Sequence, residues 1–227
     1  MAKEKTGQSA AAELTGRLEG ALGARAPGLM DASAAYAVLV PLVEGEDGLS
    51  VLYEVRAGGM RRQPGEICFP GGKIEGSETP EACALREARE EIGLPPSSVR
   101  LLGRLDFIAH RANFILYPVL AAVDKEAAGR LSLNPAEVAE TFLVPLSFLL
   151  ETQPDVYRVR LVPDAGEGFP YGDLGIRRDY RWQPGFDEMP LYRWSGRAIW
   201  GITGRITRHL ARTVRGLEQP PEDAQMQ

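Results

Sequence analysis

The 227-residue chain is poor in the residues that build soft-metal sites and disulfide frameworks. It has two cysteines, Cys68 and Cys83, and two histidines, His110 and His209. Two thiols do not make a disulfide framework, and the expected state is two reduced thiols in a cytosolic protein. Dispersed as they are, the histidines and cysteines cannot assemble a histidine-based zinc site, and each histidine reads as structural or superficial. Positive charge is short as well: 26 Lys and Arg face 31 Asp and Glu, for a formal net charge of −5. That balance argues against a general nucleic-acid binder, which needs a basic face for the phosphate backbone. It also requires that any anionic substrate be met by a local basic cluster. No apolar run approaches the length of a membrane span. Met1 to Thr15 is polar and alanine-rich rather than a secretory leader, and Gln225-Met226-Gln227 is not a peroxisomal address. The expectation is a cytoplasmic location with no nucleic-acid or membrane partner, and with a homodimer left open.

What the chain does have is carboxylate at close spacing. Between Gly72 and Leu94 the sequence carries Glu78, Glu87, Glu90 and Glu91. Thr79 is a natural N-cap, Pro80 suits the first helical position, and Gly93 suits a left-handed stop after Ile92. On the helix between them, Glu87, Glu90 and Glu91 stand at i, i+3 and i+4 and share one face. Leu85, Ala88 and Ile92 have core-like spacing. Glu-rich helix faces are common and are usually only solvated. Three clustered like charges nevertheless repel, and a divalent cation would offset that repulsion. Oxygen ligands without histidine or thiolate suit Mg2+ or Mn2+.

The spacing reaches beyond one helix. Gly72 to Leu94 fills the pattern G-x5-E-x7-R-E-U-x-E-E-x-G-U, with U aliphatic. Seven fixed letters, each at roughly one in fifteen, match by chance about once in 10^8 starts. This resembles the Nudix box, the signature of the Nudix hydrolase family. The resemblance implies an α/β fold, an α/β/α sandwich with a mixed β-sheet in a single domain, and metal-dependent cleavage of a nucleoside diphosphate linked to another group. By the same resemblance Glu87, Glu90 and Glu91 are metal ligands and Glu78 supports them, through water or by pairing with Arg86. Arg86 is then an organiser of the loop and its carboxylates. Gly71 and Gly72 let backbone approach metal or phosphate closely. A further carboxylate from outside the helix often completes such a site; Glu137 is the first candidate and Glu140 the second, each otherwise a solvated loop glutamate. The general base is not assignable from sequence. Gly71-Gly72-Lys73 is not a P-loop, because Ile67 and Ile74 stand where glycine and Ser/Thr are needed.

Upstream, Arg56-Ala57-x3-Arg61-x3-Gly65-x3-Phe69-Pro70-Gly71-Gly72 resembles the second half of the element that marks coenzyme A pyrophosphatases within that family. In the subgroup the element opens with Leu-Leu-Thr; here Leu52, Tyr53 and Glu54 stand in those places. Asn134-Pro135-Ala136-Glu137-Val138, Val144-Pro145-Leu146 and Ile199 to Thr203 also look like that subgroup. Arg56, Arg61 and Arg62 form a basic cluster beside the box. Either they balance Glu54 and Glu66 in a solvated turn, or they bind phosphate through the planar guanidinium fork. The element favours the second reading for Arg61, and less so for Arg62. The leading expectation is hydrolysis of coenzyme A and its derivatives at the pyrophosphate, with a CoA-like small-molecule partner. The alternatives are a Nudix pyrophosphatase acting on ADP-ribose, dinucleotides or nucleoside triphosphates, and a non-catalytic regulatory Nudix domain that binds a nucleotide.

Pattern places one helix near Ala10 to Leu22 in an N-terminal extension, residues 1–30. The Nudix domain follows over 31–216 and a disordered tail over 217–227. Within the domain, strands are expected at Ala34 to Val43, Leu49 to Val55, Glu66 to Phe69, Leu101 to Ile108, Phe114 to Val123 and Val156 to Val162, while Glu137 to Val144 crosses from a loop into a short strand. The Pro70-Gly71-Gly72 stretch reads as a loop. Helices are expected at Leu146 to Glu151 and Ala198 to Arg215, and Pro163 to Asp187 reads as a loop or hairpin insertion.

Overall fold

The computed structural model describes residues 2–25, 28–45 and 48–218, with side chains from residue 13 onward. The chain divides into two compact units, residues 1–33 and 34–227. The first is built on helix α1, Ala2–Gly23, which starts eight residues before the expected Ala10. The alanines there supply helix propensity that a reading by apolar periodicity passes over.

The second unit is an α/β/α sandwich. Its elements are β1 (Ala34–Gly45), β2 (Gly48–Arg56), β3 (Ile67–Cys68), β4 (Gly71–Lys73), α2 (Pro80–Ile92), β5 (Val99–Arg104), β6 (Ile108–His110), β7 (Phe114–Val123), α3 (Lys125–Ala128), β8 (Val138–Pro145), α4 (Leu146–Glu151), β9 (Asp155–Leu161), β10 (Gly185–Trp194), β11 (Arg197–Ile199) and α5 (Gly201–Glu218). Eight strands form a mixed sheet. Its main path runs β3-β2-β1-β7-β5, with β4 on β1, β6 on β7 and β8 on β2. The centre is the parallel pair β1·β7, in register from Ala34↔Phe114 to Val43↔Val123.

Alternation along the central strands fills both faces of the sheet. Ala37, Leu39, Val43 and Leu52 pack under α2 with Ala84, Ala88 and Ile92. Val40, Leu42, Val51 and Tyr53 pack on the other face with Leu149, Ile206 and Leu210 from α4 and α5. Tyr53 is fully buried, and its hydroxyl meets Thr207 Oγ1 at 2.9 Å, so the polar tip of this core residue is satisfied.

The hairpin β1–β2 opens after Leu42↔Val51. The segment from β3 to β4 enters the gap, pairing Glu54↔Cys68 on one side and Ala37↔Gly72 on the other. Pro70 and both glycines therefore lie in a sheet-bound segment rather than a free loop. Gly71 tolerates no side chain there, since an added Cβ would lie 2.4 Å from the Ala37 carbonyl oxygen.

Other boundaries also shift. The expected strand Leu101 to Ile108 is two strands, because β5 and β6 pair with different parts of β7 and Leu105 to Phe107 pair as neither. The last helix begins at Gly201 and runs to Glu218, so Leu217 and Glu218 are helical; the rest of the expected tail lies outside the described residues. The insertion after β9 is a hairpin: β10 returns antiparallel to it, with Gly185↔Leu161. Between them Phe169, Tyr171, Tyr180 and Trp182 make edge-to-face ring contacts 4.9–5.5 Å apart.

Candidate active site

Helix α2 is the organising element, and both ends are capped as the sequence predicts. Thr79 Oγ1 accepts the Ala82 N–H at 3.2 Å, and Pro80 occupies the first turn. Gly93 adopts φ 67°, and its N–H and that of Leu94 close on the Arg89 and Ala88 carbonyls. The buried face is Cys83, Ala84, Ala88, Glu91 and Ile92, so Leu85 lies off the core stripe and Glu91 lies on it. That placement separates the three helix glutamates. Glu91 is 6% exposed, whereas the Glu90 side chain is 56% exposed.

The exposed half of the set is gathered by Arg86. Its Nη1 donates to Glu87 Oε1 at 2.8 Å and to Glu90 Oε2 at 3.2 Å. Its Nη2 donates to Glu78 Oε1 at 2.9 Å and to the Lys73 carbonyl at 3.1 Å, which ties α2 to β4. The hydrogen bonds to Arg86 hold the Glu78 carboxyl below the usual range. Glu87 reaches β4 closely enough that a Cβ at residue 72 would lie 2.1 Å from its Oε1. Glycine at 72 is therefore the condition for that carboxylate to stand against the strand backbone.

The buried half has no such cation. Glu91 Oε2 accepts the Gly71 N–H at 2.8 Å. Burial first, and then the neighbouring charge of Glu54, push the Glu91 carboxyl up to about 9 despite that hydrogen bond. Glu54, on β2, is 1% exposed. Its Oε1 accepts the Cys68 thiol at 3.1 Å, while its Oε2 is buried without a hydrogen-bond partner. Burial raises the Glu54 carboxyl to about 7, with Glu137 and Glu87 adding to the rise. Glu87 is also raised, by burial first, with Glu90 and Glu137 opposing the relief from Arg86. Glu137 precedes β8, where the Asn134 side-chain amide donates to its Oε2 at 3.2 Å and its carbonyl accepts the Ala57 N–H at 2.7 Å.

Comparison with known proteins bears on what such a cluster is. Residues 34–163, more than half of the chain, match the NUDIX domain. The chain belongs to the NUDIX family. It is 36% identical over 135 residues to a peroxisomal coenzyme A diphosphatase NUDT7 of Mus musculus, covering 59% of this chain and 56% of that protein. It is 32% identical over 177 residues to an uncharacterized Nudix hydrolase NudL of Enterobacter sp. (strain 638), covering 77% and 80%. A mitochondrial coenzyme A diphosphatase NUDT8 of Homo sapiens is 31% identical over 176 residues, covering 77% and 66%. The chain thus spans little more than half the length of the mouse relative.

Nudix hydrolases generally need a divalent metal, and the residues present fit one. The donors are oxygens, the two buried carboxylates Glu54 and Glu91 make no ion pair among the described residues, and one buried oxygen lacks a hydrogen-bond partner. Among the described residues no three acidic, histidine or cysteine side chains already stand gathered as a metal would draw them. Glu87 and Glu90 are instead turned onto Arg86.

Other residues singled out in the sequence fall on both sides of this site. Arg56 lines a cleft of about 150 Å3 beside Gly71 and Gly72, with Tyr36, Gln63 and Ile67. Arg61 and Arg62 are exposed in the turn between β2 and β3 and do not line that cleft. Glu140 is exposed on β8 and paired with Arg197 at 3.1 Å, and its charge is not among those bearing on Glu54, Glu87 or Glu91. A larger open concavity, about 1020 Å3, lies against Gly93, Arg100 and Arg130 and includes none of the box glutamates; volume alone does not mark the chemistry here.

Sequence reading passed over Glu54, which the fold buries beside these carboxylates. The signal was available, since alternation in β2 puts Val51 and Tyr53 on one face and Leu52 and Glu54 on the other, aiming a carboxylate under α2. Among the described residues no helix is long and apolar enough to cross a membrane. Cys68 and Cys83 are free, and burial, followed by the Glu78 and Glu87 charges, pushes the Cys83 thiol up to about 12.

Proposed function

We propose that this Nudix protein hydrolyses coenzyme A and its derivatives at the pyrophosphate, giving adenosine 3′,5′-bisphosphate and 4′-phosphopantetheine or its acyl form. The observation that carries the reading is the carboxylate cluster of Glu87, Glu91 and their neighbours against Gly71-Gly72, beside the cleft lined by Arg56. Support for the substrate comes from the two relatives named coenzyme A diphosphatases and from the element Arg56 to Gly72.

In this reading Glu87, Glu90 and Glu91 hold Mg2+ or Mn2+, and Glu78 and Arg86 set their orientation. The cation, when bound, neutralises charge on the bridging phosphates and lowers the pKa of a bound water. Glu137 adds a carboxylate from outside the helix. Gly71 and Gly72 present backbone to the diphosphate without a side chain in the way. Arg56 meets a phosphate from the cleft, supplying positive charge that an acidic protein must place locally. Arg61, in the exposed turn after β2, meets the outer part of the polyanionic substrate. The partner is thus a CoA-like nucleotide, and the two free thiols support a cytoplasmic location.

The test is a panel of CoA, acetyl-CoA, ADP-ribose, NADH and dATP at equal concentration with Mg2+ or Mn2+, with products identified by mass. A CoA species is expected to have the highest kcat/KM. A tenfold advantage for ADP-ribose or a nucleoside triphosphate would replace the substrate and keep the reaction type. Binding without turnover of any of them would leave a regulatory nucleotide-binding domain.

A further inference from the structure

We infer that Glu54 supplies a further carboxylate ligand, from β2, to the divalent cation held by the α2 glutamates. This rests on the reading of Glu87, Glu90 and Glu91 as cation ligands, and it adds a residue that stands where the coenzyme A pyrophosphatase element has threonine.

The placement follows from the strand. Leu52 packs into the core under α2, so Glu54, two residues on, faces the same side. It is flanked within the sheet by β3, with Glu54 opposite Cys68 in register, and by β8, with Glu54 opposite Thr141. The result is a carboxylate 1% exposed in the interior of a sheet. Buried acids are retained when they are paired or when they coordinate something. Glu54 has one partner, the Cys68 thiol, which is a weak donor, and its second oxygen has none. Arg56, two residues on, donates through Nε to the Arg62 carbonyl. The charged side chains that bear on Glu54 are Arg56, Glu137 and Glu87, and Glu54 is in turn the foremost neighbouring charge on Glu91. An unpartnered buried oxygen among neighbouring carboxylates is an arrangement that a hard cation satisfies.

A purely structural role predicts otherwise. If Glu54 were a hydrogen-bonding core residue, its value would lie in the contact with Cys68, and neutral glutamine or the subgroup's threonine would alter folding and leave cation affinity alone.

The experiment is a Mn2+ titration of the full chain by calorimetry, without substrate, on wild type, Glu54→Gln, Glu54→Thr, Glu91→Gln and Glu140→Gln. The melting temperature of each metal-free protein is measured in parallel. Loss of a ligand carboxylate is expected to weaken Mn2+ binding about tenfold or more in both Glu54 variants and in Glu91→Gln, with Glu140→Gln unchanged. Both metal-free Glu54 variants are expected to remain folded, Glu54→Thr melting below Glu54→Gln because the shorter side chain leaves a buried cavity. Weakened binding in Glu91→Gln with wild-type affinity in both Glu54 variants would overturn this inference and leave the site reading standing. Wild-type affinity in all of them would overturn the site reading itself. Unfolding of both Glu54 variants would make Glu54 structural and likewise overturn the inference.

Discussion

The glutamates of this site fall into two groups that differ in how their charge is met. Glu78, Glu87 and Glu90 share one guanidinium, Arg86, in a partly exposed network at 2.8–3.2 Å. Glu54 and Glu91 are buried with one backbone N–H and one thiol between them. The first group is stable as it stands, since a planar guanidinium can hold several carboxylates by itself. The second is under electrostatic load, which shows as carboxyls raised to about 7 and about 9. One face of α2 thus carries a guanidinium that holds three carboxylates, while Glu91 of the same helix lies beside the buried Glu54 of β2. On the proposed reading, a bound cation would relieve the buried group and compete with Arg86 for Glu87 and Glu90.

The sharpest way to break this contrast is at Glu91. Glu91→Gln keeps the shape and the Gly71 N–H acceptor but removes the carboxyl's ability to ionise towards a cation. A loss of roughly 10^2-fold or more in kcat is expected, by analogy with removing a preorganised electrostatic group. The metal-free fold should be as stable as wild type or more so. Steady-state kinetics and a thermal melt check both, and near-normal turnover would remove Glu91 from the site.

Gly72→Ala attacks the seam between the two groups. The new Cβ would meet the far end of the Glu87 side chain, which can swing away at little cost to folding. The melting temperature should hardly change, while kcat falls about 10- to 100-fold because Glu87 loses its place against β4. A large loss of stability with normal kcat would mean that the close approach is structural only.

Arg56→Ala should act on substrate rather than on cation. Loss of a charge-assisted phosphate contact is expected to raise KM for CoA roughly tenfold with Mn2+ affinity unchanged. Arg61→Ala should do less, since Arg61 is exposed and off the cleft. Equal and large effects of the two on KM would favour the sequence reading that put Arg61 first.

The smallest effect is on stability against pH. An acid whose folded pKa is raised binds more protons when folded than when unfolded between the two values. For Glu54 and Glu91 the metal-free protein should therefore lose stability as pH rises from about 4.5 towards about 7 and about 9. Glu78, lowered by Arg86, contributes in the opposite sense, with stability lost as pH falls. A drop of several degrees in melting temperature between pH 5 and pH 9, reduced by Mn2+, is expected, since ~1 kcal/mol moves a domain of this size by about 2–4 °C. A melt that rises with pH over that range without metal would contradict the buried load on Glu54 and Glu91.

The two groups were unequally legible in the sequence. Helix α2, its Thr79 cap and its Gly93 stop are local, so short-range pattern reads them. Leu146–Glu151 and the β1–β2 hairpin are legible for the same reason. Glu54 was not, because its meaning depends on which face of β2 is covered and by what, and only the sheet determines that. The Pro70-Gly71-Gly72 segment failed similarly: glycines carry no strand pattern, and β4 forms because β1 offers it an edge. Of the two candidate outer carboxylates, the sequence put Glu137 ahead of Glu140 but could not place either side chain. In the fold Glu137 bears on the buried acids while Glu140 is paired with Arg197, since only tertiary pairing decides where each points.

The most direct test of the whole account is single-turnover analysis of CoA with Mg2+ on wild type and Glu91→Gln, following products by mass. The account predicts equimolar adenosine 3′,5′-bisphosphate and 4′-phosphopantetheine from wild type, none in chelator, and roughly 10^2-fold slower release of the same pair from Glu91→Gln. Chelator-resistant cleavage, or equal rates in the two proteins, would contradict it.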